Sequence, residues 1–304
     1  MKRSYRVTND QDGQRIDKWF KKNISNVPQS LIEKFLRVGK IKINKKKVKS
    51  SQKIKLNNII EVFDLKLNTN NKKNNYIPTK KNIKDNVSSI VYENEDYIVI
   101  NKKSGIAVQG GTKIKSNLVD IFAKSKIFEK DKPYTVHRLD KETSGILIFA
   151  KNRKTAQFFT SLFRLRKIHK IYLSICHGEF KNKRGELIHN LERFEKNKKI
   201  IEKAITQYRV IEQNLGFSLV EMRPITGRKH QLRKQTAIIG HPVVGDNKYS
   251  FFGKSKKSLM LHAFEIKFLI NKKKINFTAK IPKYFHDFLN SKKINLPGYL
   301  KSYI

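Results

Sequence analysis

At 304 residues, 38% of them hydrophobic, and with a formal net charge of +42, the chain has length enough for two domains and attracts polyanions. Its one cysteine, Cys176, excludes an intramolecular disulfide and any cysteine-based zinc cluster, which fits a reducing compartment. No apolar run approaches the ~18 residues of a spanning helix, and Met1-Lys2-Arg3-Ser4-Tyr5-Arg6 leads into no apolar signal core, so the expectation is a cytoplasmic protein without a membrane partner.

Residues 13–63 read as one small unit. Gln14 to Lys22 places Ile16, Trp19 and Phe20 on one helical face, and a second helix over 29–38 follows Pro28 with Leu31, Ile32, Phe35 and Leu36 at helical intervals. Gly39 is the stop signal. Two short strands are expected next, Lys40-Ile41-Lys42-Ile43 and a run ending Ile59-Ile60-Glu61-Val62, separated by asparagine-rich turns. Residues 64–86 are rich in Asn and Lys and poor in apolar side chains, the composition of a basic flexible linker.

From residue 87 to 304 a larger domain is expected. Ser89 to Ile100 reads as a hairpin turning at Glu93–Asp96, and Tyr134–Leu139 and Ile146–Ala150 as strands flanking a short turn. Asn152 to Lys167 has a helical stripe of Ala156, Phe159, Leu162 and Phe163. Further strands are expected over 169–177, 205–212, 216–223, 259–270 and 274–279. Many strands with few long helices give an α+β class with a mixed, mainly antiparallel sheet.

The turn between the two flanking strands carries the chemistry. His137-Arg138-Leu139-Asp140-Lys141-Glu142-Thr143-Ser144-Gly145 sets an acidic residue beside an Arg and a His in a strongly basic chain. Cations nearby favour the charged form of such a carboxylate, suiting it to act as a nucleophile or a charge stabiliser; a turn aspartate that only bonds its own backbone is the plain alternative. Only 14 of the 67 basic residues are Arg, and a planar two-pronged donor is what Arg offers over Lys. Arg138, Arg228 and Arg233 all fall in the notable segments. Lys170 to Ile175 alternates, with Ile171, Leu173 and Ile175 on one face and Lys170, Tyr172 and Ser174 on the other, so Tyr172 is expected away from the apolar side.

The string from His137 to Lys151, with its H-R-L-D, T-S-G and A-K elements, closely resembles the active-site motif of the RluA family of pseudouridine synthases. Gly227-Arg228-Lys229-His230-Gln231-Leu232-Arg233 with Gly240-His241-Pro242 and Gly245-Asp246 resembles a second block of that family, and Leu259-Met260-Leu261-His262-Ala263 a third. The resemblance implies that Asp140 is the nucleophilic or charge-stabilising carboxylate. It implies that Tyr172 stacks near the target base and removes its C5 proton, and that Arg233 forms an ion pair with Asp140. Arg138 takes the space of the flipped nucleotide, and Leu261 packs beneath the base. His137, Arg228 and His230 complete the RNA-binding set. Gln235 departs from the pattern, where family members often carry His. No cofactor and no metal is implied.

Helix, helix and small strands studded with lysine resemble the S4 RNA-binding domain of the αL type, with Asn44-Lys45 where an Asn-Gly turn is usual and Asn57-Asn58 where Gly-Asp is usual. Asn tolerates left-handed backbone, so the turns can form. Asp12-Gly13-Gln14-Arg15-Ile16-Asp17 looks most like the RluC-type members. The resemblance therefore implies a monomeric isomerase whose partner is 23S large-subunit rRNA or its assembly intermediates. The alternatives are a tRNA-uridine enzyme of the same chemistry, a non-catalytic RNA-binding ribosome-assembly factor, and a hydrolytic glycosidase, which needs a second placed carboxylate.

Overall fold

The structure, a computed structural model, describes residues 2–304 apart from 26, 64, 66–75, 112–113, 115, 129–131 and 196–197. It divides into two compact units, Met1–Asn75 and Tyr76–Ile304. Most of the expected linker, residue 64 and residues 66–75, lies outside the described residues.

In the first unit, β1 (Lys2–Arg6), α1 (Ile16–Asn23), α2 (Gln29–Arg37), β2 (Ile41–Ile43) and β3 (Ile59–Phe63) form two helices on a three-stranded antiparallel sheet in the order β1-β3-β2. The stripe of Ile16, Trp19 and Phe20 meets Ile32, Phe35 and Leu36 and packs on Ile41, Ile43, Ile60 and Val62. Gly39 ends α2 in a left-handed conformation, with the Lys40 amide bonded to Phe35 O and the Gly39 amide to Leu36 O, which satisfies the orphan carbonyls of the helix. Asn44 and Lys45 both have positive φ, at 47° and 65°, and Asn44 Oδ1 accepts the Ile59 amide at 2.7 Å. The Asn side chain thus stabilises the turn that glycine would otherwise permit.

The second unit runs α3 (Lys80–Val87), β4 (Ile90–Glu93), β5 (Tyr97–Lys102), α4 (Leu118–Phe122), β6 (Tyr134–Thr135), β7 (Ser144–Ala150), α5 (Arg153–Arg164), β8 (His169–His177), β9 (Arg184–Glu195), β10 (Lys198–Asn214), β11 (Phe217–Pro224), α6 (Gln231–Ile238), β12 (Leu261–Ile270), β13 (Lys273–Thr278), α7 (Lys283–Ser291) and α8 (Gly298–Lys301). A ten-stranded sheet follows the order β4-β5-β7-β12-β8-β11-β10-β9, with β13 on β12 and β6 on β7. Every pairing is antiparallel except β7 with β12. β7 is buried along its whole length. Its Ile146, Ile148 and Ala150 face Ala156 and Phe159 of α5, while Leu147 and Phe149 face Leu118 and Phe122 of α4. A strand covered on both faces needs a continuous apolar run, and Gly145–Ala150 supplies it.

Three expectations need correction. Residues 80–86, expected in the linker, lie in α3, which Thr79 caps by accepting the Asn82 amide at 3.2 Å. The strand expected over 134–139 stops at Thr135, because His137 turns inward and takes the Ile148 amide on its ring nitrogen. β8 is covered on both faces over its second half, where Ser174 and Cys176, on the Tyr172 side, are as buried as Leu173 and Ile175 opposite.

Candidate active site

The Asp140 turn is held from three directions. Within it, the Thr143 amide bonds to Asp140 O at 3.2 Å. From the segment after β5, the Gly105 amide bonds to Lys141 O at 2.9 Å and Ser104 Oγ to Glu142 O at 2.7 Å. Buried Lys102 reaches into the same junction, its Nζ donating to the carbonyls of Lys103, Ile106 and Lys141, each at 2.9 Å. Three acceptors match the three N–H groups of an ammonium. Burial pulls the Lys102 pKa down to about 7, while Glu142 and Asp140 act to raise it. Behind the turn, Gly145 has φ 112° and a Cβ there would fall 2.1 Å from Ala263 O. β7 and β12 can approach this closely only with glycine at that point.

A cleft of about 570 Å3 opens above this turn. It is lined by Tyr172 of β8, Leu261 at the start of β12, residues 224–228, and His230 with the first turn of α6. Among the described residues lining it, Asp140 is the one acid, facing Arg138, Arg164, Arg166, Lys170, Arg228 and Arg233. Asp140 is partly exposed and Arg138 exposed. Burial, and then the Asp140 charge, pushes the Tyr172 phenol above its ordinary 10.0, so its neutral form prevails at physiological pH.

Arg233 and Asp140 come together, at 3.6 Å between Nη1 and Oδ2. The two-pronged grip of the guanidinium falls on another acid: Arg233 Nε and Nη2 each bond Asp246 at 2.7 Å. Asp246 also accepts the amides of Lys248 and Tyr249, at 2.8 and 3.1 Å. Although burial works against its charge, these four donors keep the Asp246 carboxyl below its ordinary pKa. The Arg233 guanidinium is buried too, which works against its charge, and it is stabilised in turn by Asp246 and then Asp140.

His230 precedes α6 in left-handed conformation, φ 54° and ψ 31°. Its Nδ1 lies 2.7 Å from Tyr249 Oη, and its Nε2 3.5 Å from Asp140 Oδ1. Burial lowers its pKa, Asp140 opposing, so the ring is neutral at pH 7 and this contact is not an ion pair there. Gln231 is buried and fastens the segment, accepting from the Arg228 amide and Thr226 Oγ1 and donating to Ile205 O and Thr206 Oγ1. Gln235 bridges Thr206, Leu187 and Ala204, tying α6 to β9 and β10.

Of the remaining expected residues, His137 is committed internally. It accepts the Ile148 amide at 3.0 Å and stacks on Phe163 at 4.5 Å, and burial brings its pKa to about 3. Arg228 lines the cleft but is engaged, with Nη1 on Glu202 at 2.8 Å and Nε on Lys203 O at 3.2 Å. Sequence reasoning gave no role to Lys102, Asp246, Tyr249 or Gln231, although Asp246 and Gln231 sit inside quoted motifs. Among the described residues no group of three or more His, Cys, Asp or Glu forms a metal-binding cluster.

Residues 96–237, which contain the Asp140 turn, Tyr172 and Arg233, match the family described as RNA pseudouridylate synthase. The chain is 34% identical to the ribosomal large subunit pseudouridine synthase C of Buchnera aphidicola subsp. Schizaphis graminum, over 94% of this chain and 96% of that one. The chain belongs to the RNA pseudouridylate synthases. The synthase is also 30% identical to the like-named protein of Vibrio cholerae, over 90% of this chain and 92% of that one. A solved structure, human RNA pseudouridylate synthase domain containing 4, superposes on 71% of the synthase and 97% of its own length with a TM-score of 0.62 at 25% identity. The synthase has, among its described residues, no helix long and apolar enough to cross a membrane.

Proposed function

We propose that the cleft isomerises uridines of 23S large-subunit rRNA to pseudouridine, with Asp140 as the reacting carboxylate. The observation that carries this reading is that, among the described residues, Asp140 is the one acid in a cleft lined with six cations and with Tyr172 and Leu261. The cations suit phosphates, Tyr172 and Leu261 suit a base, and a solitary carboxylate fits a reaction in which nothing is hydrolysed. Asp140 stabilises positive character at C1′, or bonds to it, as the C1′–N1 bond breaks. The freed uracil turns, C5 bonds to C1′, and the C5 hydrogen leaves as a proton while N1 gains one. Exposed Arg138 suits the place of the flipped nucleotide, since a stacked base would hide its glycosidic bond. Tyr172 acts as a neutral phenol packed against the base; proton removal by its phenolate would work against its raised pKa. The 23S substrate rests on the names of the relatives.

Residues 13–63 act as an S4 RNA-binding unit in this reading, their two helices and small sheet carrying exposed lysines. The enzyme works as a monomer in the cytoplasm. The deciding experiment is tritium release from 23S rRNA transcribed with [5-3H]uridine, comparing wild type with Asp140→Ala. Release by the wild type alone is expected. Silence of both, with tRNA also unreactive, would leave an RNA-binding assembly factor.

A further inference from the structure

Outside the cleft, the second unit exposes an aromatic run that does not line it. Phe251 and Phe252 follow Tyr249 on the loop before β12 and are 62% and 60% exposed. Their rings lie 4.7 Å apart, and Phe252 stacks on His177 at 4.4 Å and 30°. His177 contacts Phe217 at 5.3 Å, and Phe217 contacts Phe288 at 5.3 Å. Lysine caps the inner rings, with Lys257 Nζ 4.6 Å from the Phe288 centroid and Lys292 Nζ 4.8 Å from that of Phe217. The loop is braced, because the Asn247 amide takes Ser255 O at 2.9 Å and accepts the Ser255 amide at 2.6 Å. Glu179, an acid close to this surface, accepts the Gly216 amide at 3.4 Å.

Two phenylalanines held in water on a braced loop bury little and add nothing to the core, and exposed apolar patches of this kind mark interaction sites. The charge around them selects the partner. Lys254, Lys256 and Lys257 are exposed on the same loop, so an apolar protein surface or a cationic one fits poorly, while a polyanion with flat unpaired rings fits both features. Tyr172 and His177 share β8, and five residues at about 3.3 Å each put the platform roughly 16 Å along the strand from the cleft. We infer that Phe251 and Phe252, with the lysines beside them, form an accessory platform on which unpaired bases of the RNA stack while its phosphates lie on the lysines. This rests on the RNA-modifying reading of the cleft. Stacking on aromatic rings is tolerant of sequence and needs single-stranded bases.

The test uses the full chain and a fluorescein-labelled unstructured RNA of about 20 nucleotides, with a duplex of equal length as control. Phe251→Ala/Phe252→Ala is expected to weaken single-strand binding about fivefold or more, to leave duplex binding and the salt slope of affinity as they were, and to be rescued by Phe251→Tyr/Phe252→Tyr. Lys254→Ala/Lys256→Ala is expected to reduce the salt slope instead. If the double alanine variant melts early, Phe251→Ala alone, at the outer end of the run, gives the same comparison. Unchanged single-strand affinity, or equal losses on single strand and duplex, would overturn the platform. So would a wild-type dimer that the alanine variant dissolves, since a second copy would then be the occupant. Binding is read without turnover, so a silent tritium assay would sink the cleft reading and leave this result standing.

Discussion

Asp246 holds Arg233 through two hydrogen bonds of 2.7 Å, and Arg233 meets Asp140 with its third nitrogen at 3.6 Å. The guanidinium is therefore oriented by one carboxylate and presented to another. Asp246→Asn keeps the size of the side chain and removes its charge, leaving a buried Arg without its closest counter-ion. Breaking such a pair costs about 3–5 kcal/mol. The expected outcome is a lower melting temperature with a fall in kcat for tritium release of about 10-fold or more, since a small displacement of a positioning group weakens catalysis.

Tyr172 separates ring from hydroxyl. If the neutral phenol serves by packing, Tyr172→Phe keeps tritium release within about tenfold of wild type, the lower range of general acid–base contributions being about 100-fold. Tyr172→Ala loses it. Single-turnover rates of both variants decide, and a collapse in the Phe variant would restore the hydroxyl as the base.

Lys102→Met removes a buried donor from three carbonyls while keeping the side-chain length. Lys141 O keeps the Gly105 amide, and each of the other two acceptors left unpaired costs about 1–3 kcal/mol, so a loss of about 2 kcal/mol or more is expected. In a domain of this size that is a fall in Tm of roughly 4–8 °C. Turnover at low temperature should fall as well, because the Lys141 carbonyl that Lys102 holds adjoins Asp140.

Acid sensitivity follows from buried imidazoles. Burial brings His262 to about 4 and His137 to about 3 from an ordinary 6.5. Below pH 6.5 the unfolded chain takes up protons on these rings that the folded chain refuses. Their contribution is thus fully present above pH 6.5 and declines as pH falls toward the folded values, by up to about 1.4 kcal/mol per pH unit for each ring. Asp246, depressed below its ordinary 3.8, adds its own loss only at lower pH. Urea unfolding between pH 7 and 4 measures the slope, and His262→Asn should make it shallower.

Local signals were legible and competition among distant groups was not. Asn44 took the left-handed turn because its amide bonds the chain alongside, and Asn152 capped α5 by accepting the Thr155 amide. Asp140, Tyr172, Arg228, Arg233 and Leu261, singled out in the sequence by the family resemblance, all line the cleft. The spacing gave no hint that Asp246 would take the Arg233 fork, because two carboxylates bid for one guanidinium only once the chain is folded. β9 escaped notice because it buries Leu187 and Leu191 but exposes Ile188 and Phe194, which blurs its alternation. α3 escaped because it buries nothing of its own, and its cap at Thr79 lies in a segment otherwise polar throughout.

The one parallel junction of the large sheet pairs His262 with Ser144 and Ala263 with Gly145. β12 is thereby the wedge between β7, which follows the Asp140 turn, and β8, which carries Tyr172. During synthesis both earlier strands emerge long before residues 261–270 exist, and until then nothing in the observed ladder joins them. Domains assemble as the chain emerges, and here the strand that joins β7 to β8 is made only after β9, β10, β11 and α6. A chain halted before β12 therefore has the Asp140 turn and Tyr172 on strands that share no hydrogen bond, and in the proposed reading its reactivity toward RNA waits on that one strand.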